Sequence, residues 1–427
     1  MPDTLRAMTL ICPRTRRLWA FIAFCALLVV IAVVTHAYVR PLNSDEAEYY
    51  APAIQFVSHS WPQLPLKAYP FPGPPLALWV QAAVAVVFKG WGTVRLLSSL
   101  GAVGLAAYLF WRAEDKARWP VLGTLAILTF PFFLWNSFTI KQHAFTVSCL
   151  LIGLERWCRA EDAPANRFSG ASSAFLTAGV LSNQFCAPLC AALSLDGLWR
   201  WRTLSPAERR AIAFCSIPLV FLGLLMLYWG GKQPPAYVDP LPASIVMDWQ
   251  HRSAQFVLGA VSIGRMGWAC PHLNIACMGR PSCWALIPSA ALVWLSQIYS
   301  PVGSFWTIGQ GPISNVLFTA LHRVPALLAL VAGVLVALAI AFWISPNLKG
   351  SWAARSRIWM ALYLAVTTIA VPYLFESYYL LLILPLIFVL LRYSETLTAH
   401  PRRTSIYLGA VILLGVAYSI FKLRQPI

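Results

Sequence analysis

The chain contains few charged residues and very few acidic ones. Only 11% of its 427 residues are charged, and just 15 are Asp or Glu. A soluble domain carries about 25% charged residues, so this composition excludes a water-soluble globular protein. Hydrophobic residues reach 59% of the chain in long unbroken runs, which are typical of membrane-spanning helices. We therefore predict an all-α membrane protein that crosses a bilayer many times, with one domain over residues 1–427.

Several familiar motifs are missing as well. There is no CxxC pair and no Cys/His metal-binding spacing, and no internal repeat that would favour an inverted-repeat transporter. Seven of the ten cysteines lie in or beside apolar runs, where Cys acts as a small hydrophobe. The net charge of +17 would suggest nucleic acid in a soluble protein. Short basic loops of a membrane protein explain it better, and we expect no nucleic-acid partner.

Eleven apolar runs approach the length of a bilayer-spanning helix, which is about 20 residues, or somewhat fewer where protein covers it. The first run is too long for a signal-peptide core and lacks a cleavage site, so we interpret it as an uncleaved span. The runs are Leu18–Val39, Val94–Trp111, Trp119–Trp135, Phe138–Leu154, Ala171–Leu181, Phe185–Trp199, Ile212–Trp229, Val324–Ile344, Ile358–Leu374, Tyr378–Leu391 and Ile406–Phe421.

The distribution of basic residues predicts the orientation of these spans. With the N-terminus in the cytoplasm, 20 of the 32 Lys and Arg residues fall in six short inner segments, as the positive-inside rule requires. This orientation lays Leu76–Phe88 along the outer surface and leaves Trp284–Val302 interfacial or re-entrant. Two long outer loops remain, residues 40–93 and 230–323, and we expect function there because ordered irregular loops concentrate binding groups.

The first outer loop begins with a cluster of acids, Asn43-Ser44-Asp45-Glu46-Ala47-Glu48-Tyr49-Tyr50. Residues 45–57 predict a helix with Tyr49, Pro52 or Ala53, and Phe56 on one stripe. Asn43 and Glu46 have the spacing of a capping box, which is a structural alternative for Glu46 or Glu48. A cap accounts for at most two of the three acids, so Asp45 is the strongest candidate for chemistry.

A proline-rich stretch follows at residues 61–76, which predicts a stiff extended loop rather than a helix. Three motifs then stand in order: Asp45-Glu46-Ala47-Glu48-Tyr49-Tyr50, Pro74-Pro75-Leu76-Ala77-Leu78-Trp79 and Val94-Arg95-Leu96-Leu97-Ser98-Ser99-Leu100. Together they resemble the GT-C superfamily of polyprenyl-phosphate-sugar-dependent glycosyltransferases, in particular the bacterial branch of protein mannosyltransferases and the aminoarabinose transferase of lipid A. Weaker likenesses lie at Gly179–Gln184 and Phe375–Tyr379.

The resemblance implies a GT-C-like bundle of about eleven spans in a bacterial inner membrane, with juxtamembrane helices in the first outer loop and a periplasmic active site. It also implies inverting transfer of a sugar from a polyprenyl-phosphate carrier to a lipid, glycan or protein acceptor. The catalytic carboxylate maps to Asp45, with Glu46 as its neighbour. We expect the substrates to be bound by outer polar and aromatic residues, namely Glu48, Tyr49, Lys67, Tyr69, Trp79, Lys141, His143, Arg265, Glu376 and Tyr379.

The sequence departs from this family in two places. Pro72-Gly73 stands where relatives often carry a Lys or an acid, and Lys141-Gln142-His143 stands where they often carry an Asp. These departures leave open whether a divalent cation, Mg²⁺ or Mn²⁺ with Asp45 as ligand, takes part; no other cofactor is expected. They also leave open a member that has lost activity. A transporter or flippase without covalent chemistry is the alternative from another class, although charged residues near the bilayer midplane are few.

Overall fold

The computed structural model describes residues 13–43, 45–60, 65–112, 120–162, 170–237, 350–370, 379–393 and 401–424, with short stretches between 256 and 339. Within these residues every regular element is a helix. A π-helical turn covers Glu46–Tyr50, and 3₁₀ helices cover Leu66–Ala68, Gln184–Cys186 and Trp201–Thr203. The α-helices are α1 (Pro13–Thr35), α2 (Ala51–Ser60), α3 (Leu76–Phe88), α4 (Trp91–Arg112), α5 (Pro120–Leu128), α6 (Pro131–Asn136), α7 (His143–Asp162), α8 (Gly170–Val180), α9 (Ala187–Trp199), α10 (Pro206–Trp229), α11 (Ser351–Ala370), α12 (Leu380–Tyr393) and α13 (Pro401–Arg424).

Four of the described helices are long and apolar enough to cross a bilayer. They are α1, α4, α10 and α13, which contain the candidate spans Arg14–Thr35, Trp91–Arg112, Glu208–Trp229 and Pro401–Arg424. The prediction of an all-helical membrane protein is confirmed to that extent. The predicted α3 segment is a 13-residue apolar helix with the expected bounds. The segment Trp284–Val302, most of the run Val324–Ile344 and most of the second outer loop lie outside the described residues.

Two predicted spans have different helix boundaries. The run Trp119–Trp135 is broken into α5 and α6, because Pro131 has no N–H to continue the helix and Phe130 before it adopts an extended ψ of 133°. The run Phe138–Leu154 begins with a non-helical turn, and α7 starts only at His143. This turn leaves Lys141 on irregular backbone just before a helix.

The described chain forms two compact units. The first contains Met1–Pro62, Ala77–Ser148 and Leu408–Ile427, and the second contains Gln63–Leu76 and Cys149–Tyr407. In the second unit, α9 packs against both α10 and α11, and α8 packs against α10. A capping box between Ser205 and Glu208 begins α10, and Gly230 ends it with a left-handed φ of 75°.

Helices α1 and α4 of the first unit are antiparallel. At one end the Phe21 ring lies edge-on to Phe110 and Trp111, with ring centres 6.4 and 5.0 Å apart. At the other end Arg95 of α4 reaches the residues that follow α1. The last helix, α13, ends beside the same region, where Arg424 donates a hydrogen bond to the Val34 carbonyl (3.4 Å). One end of this unit therefore gathers the C-terminal ends of α1 and α13 and the start of α4.

Candidate functional site

Helix α1 ends in a tight cap that turns the chain toward the acidic cluster. His36 adopts a left-handed φ of 50°. Its N–H donates to the Val33 carbonyl (3.3 Å), and the Ala37 N–H donates to the Ala32 carbonyl (3.0 Å). These two bonds form a Schellman motif, which satisfies the last carbonyls of a helix. The backbone after His36 is thereby fixed, and its own carbonyls become available to a partner from α4.

That partner is Arg95, whose side chain is completely buried. Its guanidinium donates hydrogen bonds to three carbonyl oxygens of the loop, those of Ala37 (3.2 Å), Arg40 (2.6 Å) and Pro41 (2.9 Å). It also donates to both carboxylate oxygens of Glu46, at 3.2 Å from Nε and 2.7 Å from a terminal nitrogen. A guanidinium offers five N–H groups in a rigid fork. Arg95 makes five such bonds and ties α4 to the loop and to the acidic cluster.

Glu46 is fully committed to this network. Besides Arg95, its carboxylate accepts hydrogen bonds from the backbone N–H groups of Asn43 and Ile140, each at 3.0 Å. Asn43 Oδ1 in turn accepts from the Glu46 N–H (2.9 Å), which completes the predicted capping box. Burial raises the pKa of Glu46, but the hydrogen bonds and charges of Arg95 and Arg40 outweigh burial and hold the pKa below its ordinary value.

The turn before α7 is held by two serines of α4. Ser98 donates to the Thr139 carbonyl (2.8 Å), and Ser99 donates to the Ser137 carbonyl (2.6 Å). Ser99 also accepts a hydrogen bond from the Tyr38 hydroxyl (2.8 Å). The Val94–Leu100 motif therefore contributes an arginine for the loop after α1 and two hydroxyls for the turn before α7.

This turn brings Lys141 to Asp45, and the two side chains form an ion pair. Asp45 remains 53% exposed, whereas the Lys141 side chain is only 8% exposed. The ammonium lies over the Trp135 ring, 4.7 Å from its centre, which adds a cation–π attraction. His143 is buried, and its ring and the ammonium of Lys422 both lie within the electrostatic influence of the pair. We call Asp45, Glu46, Arg95 and Lys141 the Asp45 cluster.

The helix that follows Asp45 buries different positions from those predicted. The predicted stripe contained Tyr49, Pro52 or Ala53, and Phe56, but the buried hydrophobic positions are Tyr50, Ala51, Ala53, Ile54 and Val57. The segment begins with a π-helical turn at Glu46–Tyr50, which holds more residues per turn than an α-helix. Tyr49 is half-buried, and Glu48 is exposed.

Lys67 belongs to the second unit, where it is held against the end of α10. Its ammonium lies 5.2 Å from the centre of the Tyr228 ring. Its carbonyl accepts a hydrogen bond from the Ala236 N–H (3.2 Å), and the Trp229 indole donates to the neighbouring Leu66 carbonyl (3.1 Å). The proline-rich stretch is thus anchored here by two hydrogen bonds to its backbone carbonyls and by the contact of Lys67 with the Tyr228 ring.

The remaining predicted site residues have different environments. Tyr69 is 1% exposed beside Phe71, and burial raises the pKa of its hydroxyl. Tyr379 has no exposed surface, and its ring centre lies 6.0 Å from that of Tyr363, so Tyr69 and Tyr379 are core residues in this structure. Trp79 is half-buried, and its indole N–H has no hydrogen-bond partner among the described residues. Arg265 and Glu376 lie outside the described residues.

The surroundings of Asp45 do not fit a divalent cation. A metal ion at Asp45 would have to share its carboxylate with the Lys141 ammonium, and both oxygens of neighbouring Glu46 already accept hydrogen bonds from nitrogen donors. Nor do the described parts of the chain place three or more His, Cys, Asp or Glu side chains together as metal ligands.

Sequence reasoning alone did not identify Arg95, although one signal was available. Arg95 is an ionisable residue inside a helix that is otherwise apolar, and such residues are costly unless they pair or face water. Comparison of the chain with family models, with curated proteins and with solved structures finds no match.

Proposed function

We propose that the chain is a membrane glycosyltransferase that moves a sugar from a polyprenyl-phosphate carrier to an acceptor hydroxyl, with Asp45 as the general base. One observation carries the proposal: an exposed carboxylate is held on a hydrogen-bonded scaffold directly beside a nearly buried ammonium. Transfer from a sugar phosphate needs both groups. A base must take the acceptor's proton, and a positive charge must stabilise the departing phosphate.

The proposed step is a direct displacement. The acceptor oxygen forms a bond to the anomeric carbon while the bond from that carbon to the phosphate oxygen breaks. The electron pair of the broken bond leaves with the polyprenyl phosphate, and an oxygen of Asp45 takes the acceptor's proton. Lys141 stabilises the negative charge of the departing phosphate. The phosphate then replaces Asp45 as the partner of the Lys141 ammonium. Attack opposite the leaving group inverts the anomeric centre.

The cluster's location in the first unit supports an extracytoplasmic active site. The Asp45 cluster lies at the end where α1 and α13 finish, and the basic residues Arg14, Arg16 and Arg17 lie at the opposite end of α1. The positive-inside rule assigns that basic end to the cytoplasm. The carboxylate then faces the other compartment, close to the level of a lipid phosphate.

The direct test is transfer from a radiolabelled polyprenyl-phosphate sugar in membranes that contain the Asp45→Asn variant. Loss of a general base lowers rates by about 10²–10⁴-fold, so we expect transfer to fall into the background. Glu208→Gln is the matched control, because it also converts an exposed acid to its amide and Gln preserves the capping box. Transfer by Asp45→Asn at the wild-type rate would rule out the catalytic assignment.

A second test separates the roles of the two charged groups. Lys141→Gln removes the ammonium, and we expect it to weaken donor binding and raise the donor KM. Lys141→Arg keeps the charge and should restore much of that binding. If labelled carrier instead crosses proteoliposome membranes in both variants and in the wild type without any glycosylated product, the chain is a flippase and not a transferase.

A further inference from the structure

The end of the first unit opposite the Asp45 cluster contains a cavity of about 290 Å³. Arg14, Arg17 and Leu18 line it from the first turns of α1, and Phe110 and Trp111 line it from the last turn of α4. Arg14 and Arg17 are three residues apart, so their side chains emerge from one face of the helix. Two basic side chains and two aromatic side chains therefore line one small concave space.

The lining combines positive charge with exposed apolar surface. No acidic residue is among the described residues that line it. The Trp111 and Leu18 side chains are 59% and 45% exposed, although both belong to helices long and apolar enough to span a bilayer. Phe21 packs edge-on against Phe110 and Trp111, which fixes the aromatic side of the cavity. Exposed Trp and Leu beside arginines at the end of a spanning helix are typical of the membrane–water interface.

We propose that this cavity binds the phosphate headgroup of an anionic phospholipid, with phosphatidylglycerol as the simplest ligand. Guanidinium groups pair with phosphate oxygens through two parallel hydrogen bonds. Basic pockets between membrane helices on the cytoplasmic side bind anionic headgroups. The volume lies at the lower end of the range for small-molecule sites, about 300–1,000 Å³, so it holds a headgroup while the acyl chains lie along Leu18 and Trp111. This site is independent of the glycosyltransferase proposal.

The test uses the full-length protein purified in detergent and native mass spectrometry. Phosphatidylglycerol and phosphatidylcholine with the same acyl chains are added separately, and the retained lipid is counted. Each arginine near an anionic headgroup favours binding about 5-fold, so Arg14→Gln combined with Arg17→Gln should weaken phosphatidylglycerol retention roughly 25-fold. The control combines Arg16→Gln with Arg402→Gln, which removes the same charge from exposed positions that do not line the cavity. This control should retain the lipid.

Three results would overturn the proposal. They are equal retention of the two lipids by the wild type, an equal loss in the cavity variant and the control, and displacement of phosphatidylglycerol by inorganic phosphate at the same concentration. Arg14→Lys combined with Arg17→Lys protects the test against a folding defect, because it keeps the charge and loses only the planar fork. We expect this variant to retain phosphatidylglycerol at a level between those of the wild type and the Gln variant.

Discussion

The two adjacent carboxylates of the Asp45 cluster should respond in opposite ways to the same chemical change. We compare Glu46→Gln with Asp45→Asn, each of which replaces a carboxylate by an amide of nearly the same shape. Glu46 is buried and accepts five hydrogen bonds, two of them from Arg95. Asp45 is more than half exposed and pairs with Lys141. We expect the first change to destabilise the fold and the second to abolish transfer while leaving the fold intact.

The magnitudes follow from burial. Removing one partner of a buried ion pair costs about 3–5 kcal/mol, because the other charge stays buried without compensation. In Glu46→Gln the new amide also turns an NH₂ group toward donors that need an acceptor, and the Arg95 guanidinium keeps its three carbonyl partners and at most one of its two side-chain acceptors at position 46. Ion pairs between exposed side chains are worth about 0–1 kcal/mol, and here only Asp45 is exposed while Lys141 is nearly buried. Because solvent reaches the pair and the Asn amide oxygen can still accept a hydrogen bond from Lys141, Asp45→Asn should lower the unfolding free energy by less than Glu46→Gln does.

Both variants can be measured by SDS titration of the purified protein in mixed micelles, with helical circular dichroism as the signal. Transfer from a labelled donor is measured on the same preparations. Glu46→Gln is expected to lose transfer as well, because the turn that carries Asp45 loses its anchor. Two results would contradict these roles. One is a free energy of unfolding for Glu46→Gln within about 1 kcal/mol of the wild-type value. The other is a loss of unfolding free energy in Asp45→Asn as large as that in Glu46→Gln.

Three further predictions concern stability. The folded-state pKa of Glu46 is below its ordinary value of 4.5, so the stability that its ionised form contributes is present above pH 4.5 and is lost as pH falls through the folded-state pKa. Melting temperatures measured between pH 7 and pH 3 should therefore fall in the wild type and fall less in Glu46→Gln. Asp196 is buried and accepts hydrogen bonds from two arginines, so Asp196→Asn should cost about 3–5 kcal/mol in SDS titration; an unchanged midpoint contradicts this. A Cβ on Gly92 would lie 2.5 Å from the Tyr38 carbonyl oxygen, whereas a Cβ on Gly101 in the same helix would meet nothing within 4 Å. Gly92→Ala should therefore destabilise the protein by about 1–3 kcal/mol, and Gly101→Ala should stabilise it by about 0.5–1 kcal/mol. Equal melting temperatures for the two variants would contradict this prediction.

The positions of the described helices were largely predictable from hydrophobic runs. The predicted runs at α4, α8 and α10 overlap the observed helices because long apolar stretches have few alternatives to a helix in a membrane. The errors occur where local backbone chemistry competes with hydropathy. Pro131 divides an apolar run, and residues 138–142 form a turn although Phe138 and Ile140 made them look like the start of a span. A hydropathy profile averages over many residues, so it does not detect a helix break that is caused by one proline without an N–H.

The candidate site was predictable only as a region. The acids at 45–48 could be found because they follow the first span directly, and the capping box of Asn43 and Glu46 was visible in their spacing. The contact between Asp45 and Lys141 could not be found, since the two residues are 96 positions apart and meet only because serines of α4 hold the intervening turn. Sequence spacing predicts contacts between residues that are near each other in the chain, whereas this ion pair depends on tertiary contacts.

Asp45 and Glu46 carry the same carboxylate group, so the difference in their burial and partners follows from helical geometry and not from their chemistry. Consecutive residues of a helix point about 100° apart, so a turn that directs Glu46 into the buried guanidinium of Arg95 must direct Asp45 away from it. The buried carboxylate gains its partners by giving up contact with solvent, and the exposed carboxylate keeps access to solvent because its neighbour is anchored. Moving the arginine-binding acid by one position would exchange these environments. In the proposed transferase, Arg95 and Glu46 therefore set the orientation of the turn, and Asp45 and Lys141 are the groups that contact the substrate.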